Sequence, residues 1–119
     1  MRRSASSSRE VVHLGRLSLI SDQTLVYGSR SVHLTPMEFR LLRYLARCPG
    51  QPVSNADLVE HVWRYPRETA GSEVVRAHVR NIRAKLERSG ISPELIATHP
   101  RIGYSLQPSA GDRRRPSRR

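Results

Sequence analysis

Cys48 is the only cysteine in the chain. That excludes an intramolecular disulfide and any metal cage built from several cysteines. No apolar run approaches the roughly eighteen residues that a membrane span needs. The N-terminal stretch MRRSASSSREVV is positively charged, but no apolar segment follows, so it does not read as a secretory signal. A soluble cytoplasmic protein is the expectation. Also missing are a glycine-rich phosphate loop and a metal-binding histidine pair on a helix. Serine, histidine and aspartate occur in no arrangement that suggests a nucleophile. The sequence therefore predicts neither an enzyme nor a cofactor or metal site.

Lysine is nearly absent too. Lys85 stands alone among 21 basic residues, against 10 acidic ones, for a net charge of +11. The excess is unevenly placed. Arg2, Arg3 and Arg9 give +3 at the front, and Arg113, Arg114, Arg115, Arg118 and Arg119 less Asp112 give +4 at the back. Residues 10–108 hold the remaining +4. The expected organisation is a disordered basic arm at 1–9, one folded domain at 10–108 and a disordered Arg-rich tail at 109–119. The 119 residues, 37 % hydrophobic, suffice for one modest core. The basic balance points to a polyanionic partner, while leaving the fold open.

Residues 11–34 contain four short β-branched or apolar runs, VVHL, RLSLI, TLVY and SVHL. Gly15, Ser21-Asp22 and Gly28-Ser29 separate them, which predicts an antiparallel meander. The period then changes. In LTPMEFRLLRYLARCPG, Thr35 fits a helix N-cap, Pro36 the first helical position and Glu38 the capping-box acid. Phe39, Leu42, Leu45 and Ala46 share one face, and Pro49-Gly50 ends the element. A short extended piece at Pro52-Val53 leads to Ser54, a second N-cap, and to Leu58, Val59 and Val62. After a polar loop over residues 64–71, Ser72 or a neighbour caps a third helix that Ser89-Gly90 ends. Leu95, Ile96 and Thr98 read as strand. Gly103 allows a sharp turn into Tyr104-Ser105-Leu106, giving a hairpin with an arginine at its tip.

The third helix carries two stripes. Val75, Val79, Ile82 and Leu86 recur at helical spacing, and Arg76, Arg80 and Arg83 recur beside them, roughly a quarter-turn away. The aliphatic stripe would fix the roll of the helix and hold the three guanidiniums outward together. Guanidinium groups pair bidentately with guanine or clamp phosphates.

In order and spacing, LTPMEFRLLRYLARCPGQPVS, LVEHVW, VRAHVRNIRAKL and IGYSL resemble the DNA-binding effector domain of OmpR/PhoB-type response regulators. The resemblance covers about residues 11–107. It implies an α+β winged helix-turn-helix: an N-terminal four-stranded antiparallel sheet, three helices and a C-terminal β-hairpin wing. It also implies that the third helix (about 72–89) lies in the major groove and the wing (about 98–104) in the minor groove. Carried over by position, Arg76, Arg80 and Asn81 meet base edges or nearby phosphates, Arg83 contacts the backbone, Trp63 lies against phosphate and Thr98 holds phosphate from the wing. Arg101 lies at the wing tip. The loop bearing Arg64, Arg67 and Glu68 matches one that touches RNA polymerase. Departures occur at Glu73, Val74 and Arg76, and in the wing. There THPRIGY replaces the usual Thr-Val-Arg-Gly-x-Gly-Tyr, with the arginine one place later and proline at 100.

The function so implied is sequence-specific transcriptional regulation in bacteria, on double-stranded DNA, with two protomers per operator and RNA polymerase as a further partner. The family belongs to two-component systems, yet this chain has no room for a receiver domain. Two alternatives stay open: a low-specificity nucleoid-type DNA binder whose tails supply the affinity, and a protein-interaction module. Trp63 reads equally as core plug or phosphate contact. His78 and Tyr104 read as packing residues, Cys48 as structural. His61 and His78 could meet across helices, but without a carboxylate pattern they make a poor metal site.

Overall fold

The computed structural model describes residues 11–64 and 71–111. The arm at 1–9 and the tail from 112 onward lie outside the described residues. Strands β1 (Val11–Leu14), β2 (Leu17–Ile20), β3 (Thr24–Tyr27) and β4 (Arg30–His33) form an antiparallel meander in sequential order. The register pairs Leu19 with Leu25 and Leu25 with Val32, which puts the apolar members of successive strands on one face. Leu17, Leu19, Leu25, Tyr27 and Val32 are buried there. On the other face, His13 bonds Ser18 at 2.8 Å. The Gly28 turn has φ 61°, as a tight hairpin loop requires.

Helix α1 (Pro36–Ala46) begins with the anticipated capping box: Glu38 N–H donates to Thr35 Oγ1 at 3.2 Å and Thr35 N–H to Glu38 Oε1 at 3.0 Å. Glu38 has a second partner that sequence did not suggest. It is 3 % exposed, and the Lys85 ammonium lies 2.6 Å from its Oε1. The lone lysine thus ties the start of α1 to the far end of the third helix.

Ser54 caps α2 (Asn55–Leu58) by accepting from Asp57 N–H at 3.0 Å. The helix then widens into a π-turn over Val59–Trp63, and Arg64, at φ 66°, ends it. Helix α3 (Ser72–Arg88) buries Val75, Val79, Ile82 and Leu86. Its N-cap is Gly71, without a side-chain hydrogen bond, rather than a serine hydroxyl. The reason is packing: a Cβ on Gly71 would lie 2.4 Å from Val59 Cγ2. Ser89 closes the helix and Gly90 follows at φ 81°.

The C-terminal hairpin is larger than expected. Strands β6 (Ile96–His99) and β7 (Gly103–Leu106) pair, and β5 (Val53–Ser54) pairs with β7, giving a three-stranded sheet in the order β5-β7-β6. Leu95 belongs to a 3-10 turn, Pro93–Leu95, rather than to the strand. Gly103 is not the turning residue. It pairs with Ser54, and the Val53 carbonyl oxygen would lie 1.9 Å from an added Cβ. The turn is made by Pro100 and Arg101, with Ile102 N–H donating to His99 O at 2.9 Å. Beyond residue 108 the chain stays packed: Pro108–Ala110 forms a 3-10 turn and Gly111 is buried against Tyr27.

Candidate nucleic-acid interface

Arg76 and Arg80 lie one helical turn apart and are exposed, as is Asn81 beside them. The aliphatic face of α3, roughly a quarter-turn away, is fully committed, with Val75, Val79, Ile82 and Leu86 each at most 1 % exposed. The helix therefore cannot roll without opening the core, and the direction of the Arg76–Arg80 row is fixed. Two guanidiniums on one side of a stiff helix supply donors suited to guanine edges and phosphates, and the Asn81 carboxamide, about 100° further round, is an amide suited to adenine.

Arg83 does not join that row. Its Nη2 donates to Ile96 O at 2.6 Å and Thr98 Oγ1 at 2.8 Å, and its Cζ lies 5.9 Å from the centre of the Tyr104 ring. The expectation of three arginines projecting together is corrected. The cause lies at the edge of the small sheet. Among the described residues β6 has no strand on its outer side, so the Ile96 carbonyl takes its donor from elsewhere, and Arg83 is within reach. Thr98 is occupied by the same guanidinium. Nothing in the sequence spacing marks this, because β6 is 13 residues from Arg83.

Trp63 is half-buried and meets the His78 ring edge-on, with centroids 5.0 Å apart and planes at 76°. His78 Nδ1 donates to Val74 O at 2.8 Å, which holds the ring against α3. His61 stacks on Tyr44 instead, at 5.5 Å and 10°, so the two histidines take different neighbours. His61 does have carboxylates nearby: one ligand atom each from Asp57, Glu60 and His61 falls within 4.8 Å of the others. Cys48 is a free thiol and is exposed. Tyr104 is buried, as its packing role required. Arg64 is exposed at the end of α2, whereas Arg67 and Glu68 lie outside the described residues.

Arg101 is exposed at the tip of the wing with φ 68°. It follows Pro100 in a turn whose second central residue needs positive φ, a position that favours glycine. So the arginine in the wing occupies the glycine's backbone conformation.

A four-stranded sheet, three helices and a strand-paired hairpin, with an exposed basic ridge on the third helix, define a winged helix-turn-helix of the DNA-binding kind. The chain belongs to the OmpR/PhoB-type DNA-binding family: residues 29–106 match the family described as transcriptional regulatory protein, C terminal. A probable transcriptional regulator, ycf27, of Porphyra purpurea is 36% identical over 99 residues, 82% of this chain and 41% of its own length. The DNA-binding response regulator MtrA of Mycolicibacterium smegmatis is 32% identical over 109 residues, 91% of this chain and 47% of that protein. Among solved structures, the DNA-binding domain of CpxR from E. coli superposes with a TM-score of 0.68 at 26% identity, covering 82% of this chain and 96% of that domain. The chain thus spans less than half the length of these two curated relatives. Among the described residues no helix is long and apolar enough to cross a membrane.

Proposed function

We propose that this chain reads duplex DNA as the sequence-specific domain of a transcriptional regulator, with α3 in the major groove and the wing in the adjacent minor groove. The observation that carries the reading is the exposed Arg76–Arg80 row, with exposed Asn81 further round the same helix, on a helix whose aliphatic face is locked into the core. Arg76, Arg80 and Asn81 serve as base or phosphate contacts. Arg101 supplies the wing's positive charge to the minor groove. Trp63, whose ring is partly open beside α3, lies against the backbone. Arg83 and Thr98 brace the wing from α3 and present what remains of their polar edges to phosphate. Two protomers bind per operator, and the loop from Arg64 through Arg67 and Glu68 contacts RNA polymerase. None of these roles requires catalysis.

The test is selection of binding sites from a random duplex pool at physiological salt, with residues 1–119 run beside residues 11–111. Enrichment of one short repeated motif by both chains supports the reading. The arginines outside the described residues favour a second reading, a low-specificity binder held by counterion release. That reading takes over if neither chain enriches a motif and only the full chain binds.

A further inference from the structure

The wing tip carries a residue whose exposure the packing of the domain does not explain. Ile102 is 51% exposed, and among the described residues only Val11, at 42%, is another large hydrophobic side chain so open. A single exposed isoleucine is ordinary on a protein surface. What sets this one apart is how firmly its backbone is held while its side chain is left bare. Ile102 N–H donates to His99 O at 2.9 Å, and Ile102 O accepts from Asn55 N–H at 3.0 Å. The following residue, Gly103, sits so close to Val53 that any side chain there would strike the Val53 carbonyl. The tip is thereby pinned to the first turn of α2 and cannot fold back to shelter the isoleucine. Beside it, Arg101 holds an unfavourable positive φ at the point of the turn. The strain, the pinning and the bare side chain all fall within three residues.

We propose that Ile102 is an apolar wedge that enters the minor groove next to Arg101 and partly unstacks one base step. The proposal rests on the reading of the wing as a minor-groove element and deepens it. Architectural proteins that bend DNA insert side chains such as isoleucine between base pairs, and a rigidly presented wedge loses little freedom on binding. The two neighbours divide the work by chemistry. Arg101 answers the negative potential of a narrow A·T-rich groove. Ile102 selects a step that opens readily, which means a pyrimidine–purine step such as TA or CA. The wing then contributes sequence preference through deformability, without a hydrogen bond to any base edge.

The experiment uses the full chain and short duplexes bearing the selected site, with 2-aminopurine placed at successive steps of the flanking minor groove. Hydroxyl-radical footprinting reports in parallel whether that groove is covered. Fluorescence is expected to rise at one step with the wild-type chain. Ile102→Ser should abolish the rise and weaken binding about fivefold, the equivalent of roughly half an isoleucine's burial. Ile102→Leu should retain both. Because the side chain is exposed, both variants should melt with the wild type, which separates loss of the wedge from loss of the fold. If the wild type protects the flanking groove yet leaves fluorescence flat, or if Ile102→Ser unstacks the step equally well, the wedge is wrong and the wing assignment stands. If the flanking groove is not protected at all, the wing assignment itself fails.

Discussion

The guanidinium of Arg83 reaches across from α3 to the wing, with Nη2 2.8 Å from Thr98 Oγ1 and 2.6 Å from the Ile96 carbonyl. A residue of α3 is thus bonded to the outer strand of the wing. Arg83→Ala should lower stability by about 1–2 kcal/mol, the range for losing charge-assisted hydrogen bonds at a partly open site. Thr98→Val should cost less, since Ile96 O keeps its donor. Urea unfolding of both single variants and the double variant measures this, with a coupling energy clearly above zero expected between the two positions.

The pair formed by Glu38 and Lys85 is weighted unequally. Side-chain exposure is 4% for the glutamate and 26% for the lysine. Lys85→Met strands a buried carboxylate and should destabilise by about 2–4 kcal/mol, toward the lower part of the range for breaking a buried pair. Glu38→Gln retains the capping acceptor, so the double variant Glu38→Gln, Lys85→Met should recover much of the loss. Equal melting temperatures for Lys85→Met and wild type would show that the pair contributes nothing.

Arg80→Ala should weaken binding to the selected site by about 1–3 kcal/mol and relax preference at one base pair, as expected of a base-reading arginine. Arg88→Ala, in the last turn of α3, serves as the control and should change affinity little. Equilibrium titrations against the selected duplex and its single-base variants distinguish the two. Unchanged affinity for Arg80→Ala would remove α3 from the major groove.

Arg101→Gly should move stability and binding in opposite directions. Releasing a non-glycine residue from φ 68° should stabilise the domain by up to about 1 kcal/mol. Losing the guanidinium should weaken DNA binding and make the dependence on salt concentration shallower by about one counterion. Thermal melting and salt titration read the two effects separately.

The helices and the meander were legible because each rests on local rules. The Thr35–Glu38 capping box, the Ser54 cap and the aliphatic stripe of α3 are written within a few residues of where they act. What escaped was set by contacts between distant segments. Arg83 looks like one member of a stripe until β6 offers it an unpaired carbonyl. Gly103 looks like a turn glycine, yet its constraint is the approach of Val53, which belongs to a strand fifty residues earlier in the chain. Gly71 caps α3 because Val59 leaves no space for a side chain. The site was read more coarsely than the fold: the sequence located the ridge, while the structure determined which of its arginines stand free of the wing.

The pairing of β5 with β7 gives the wing and the start of α2 a common piece of backbone. Arg83 ties α3 to β6 of the same sheet, so the two arms proposed to meet DNA are mounted on one frame, like the jaws of a caliper locked at a single opening. On the proposed docking, the gap between the groove that α3 would enter and the groove that the wing would enter is a property of the protein rather than of the operator. A base pair inserted between those two contacts cannot be absorbed by a hinge. The duplex must twist to meet the jaws, or one of them must let go.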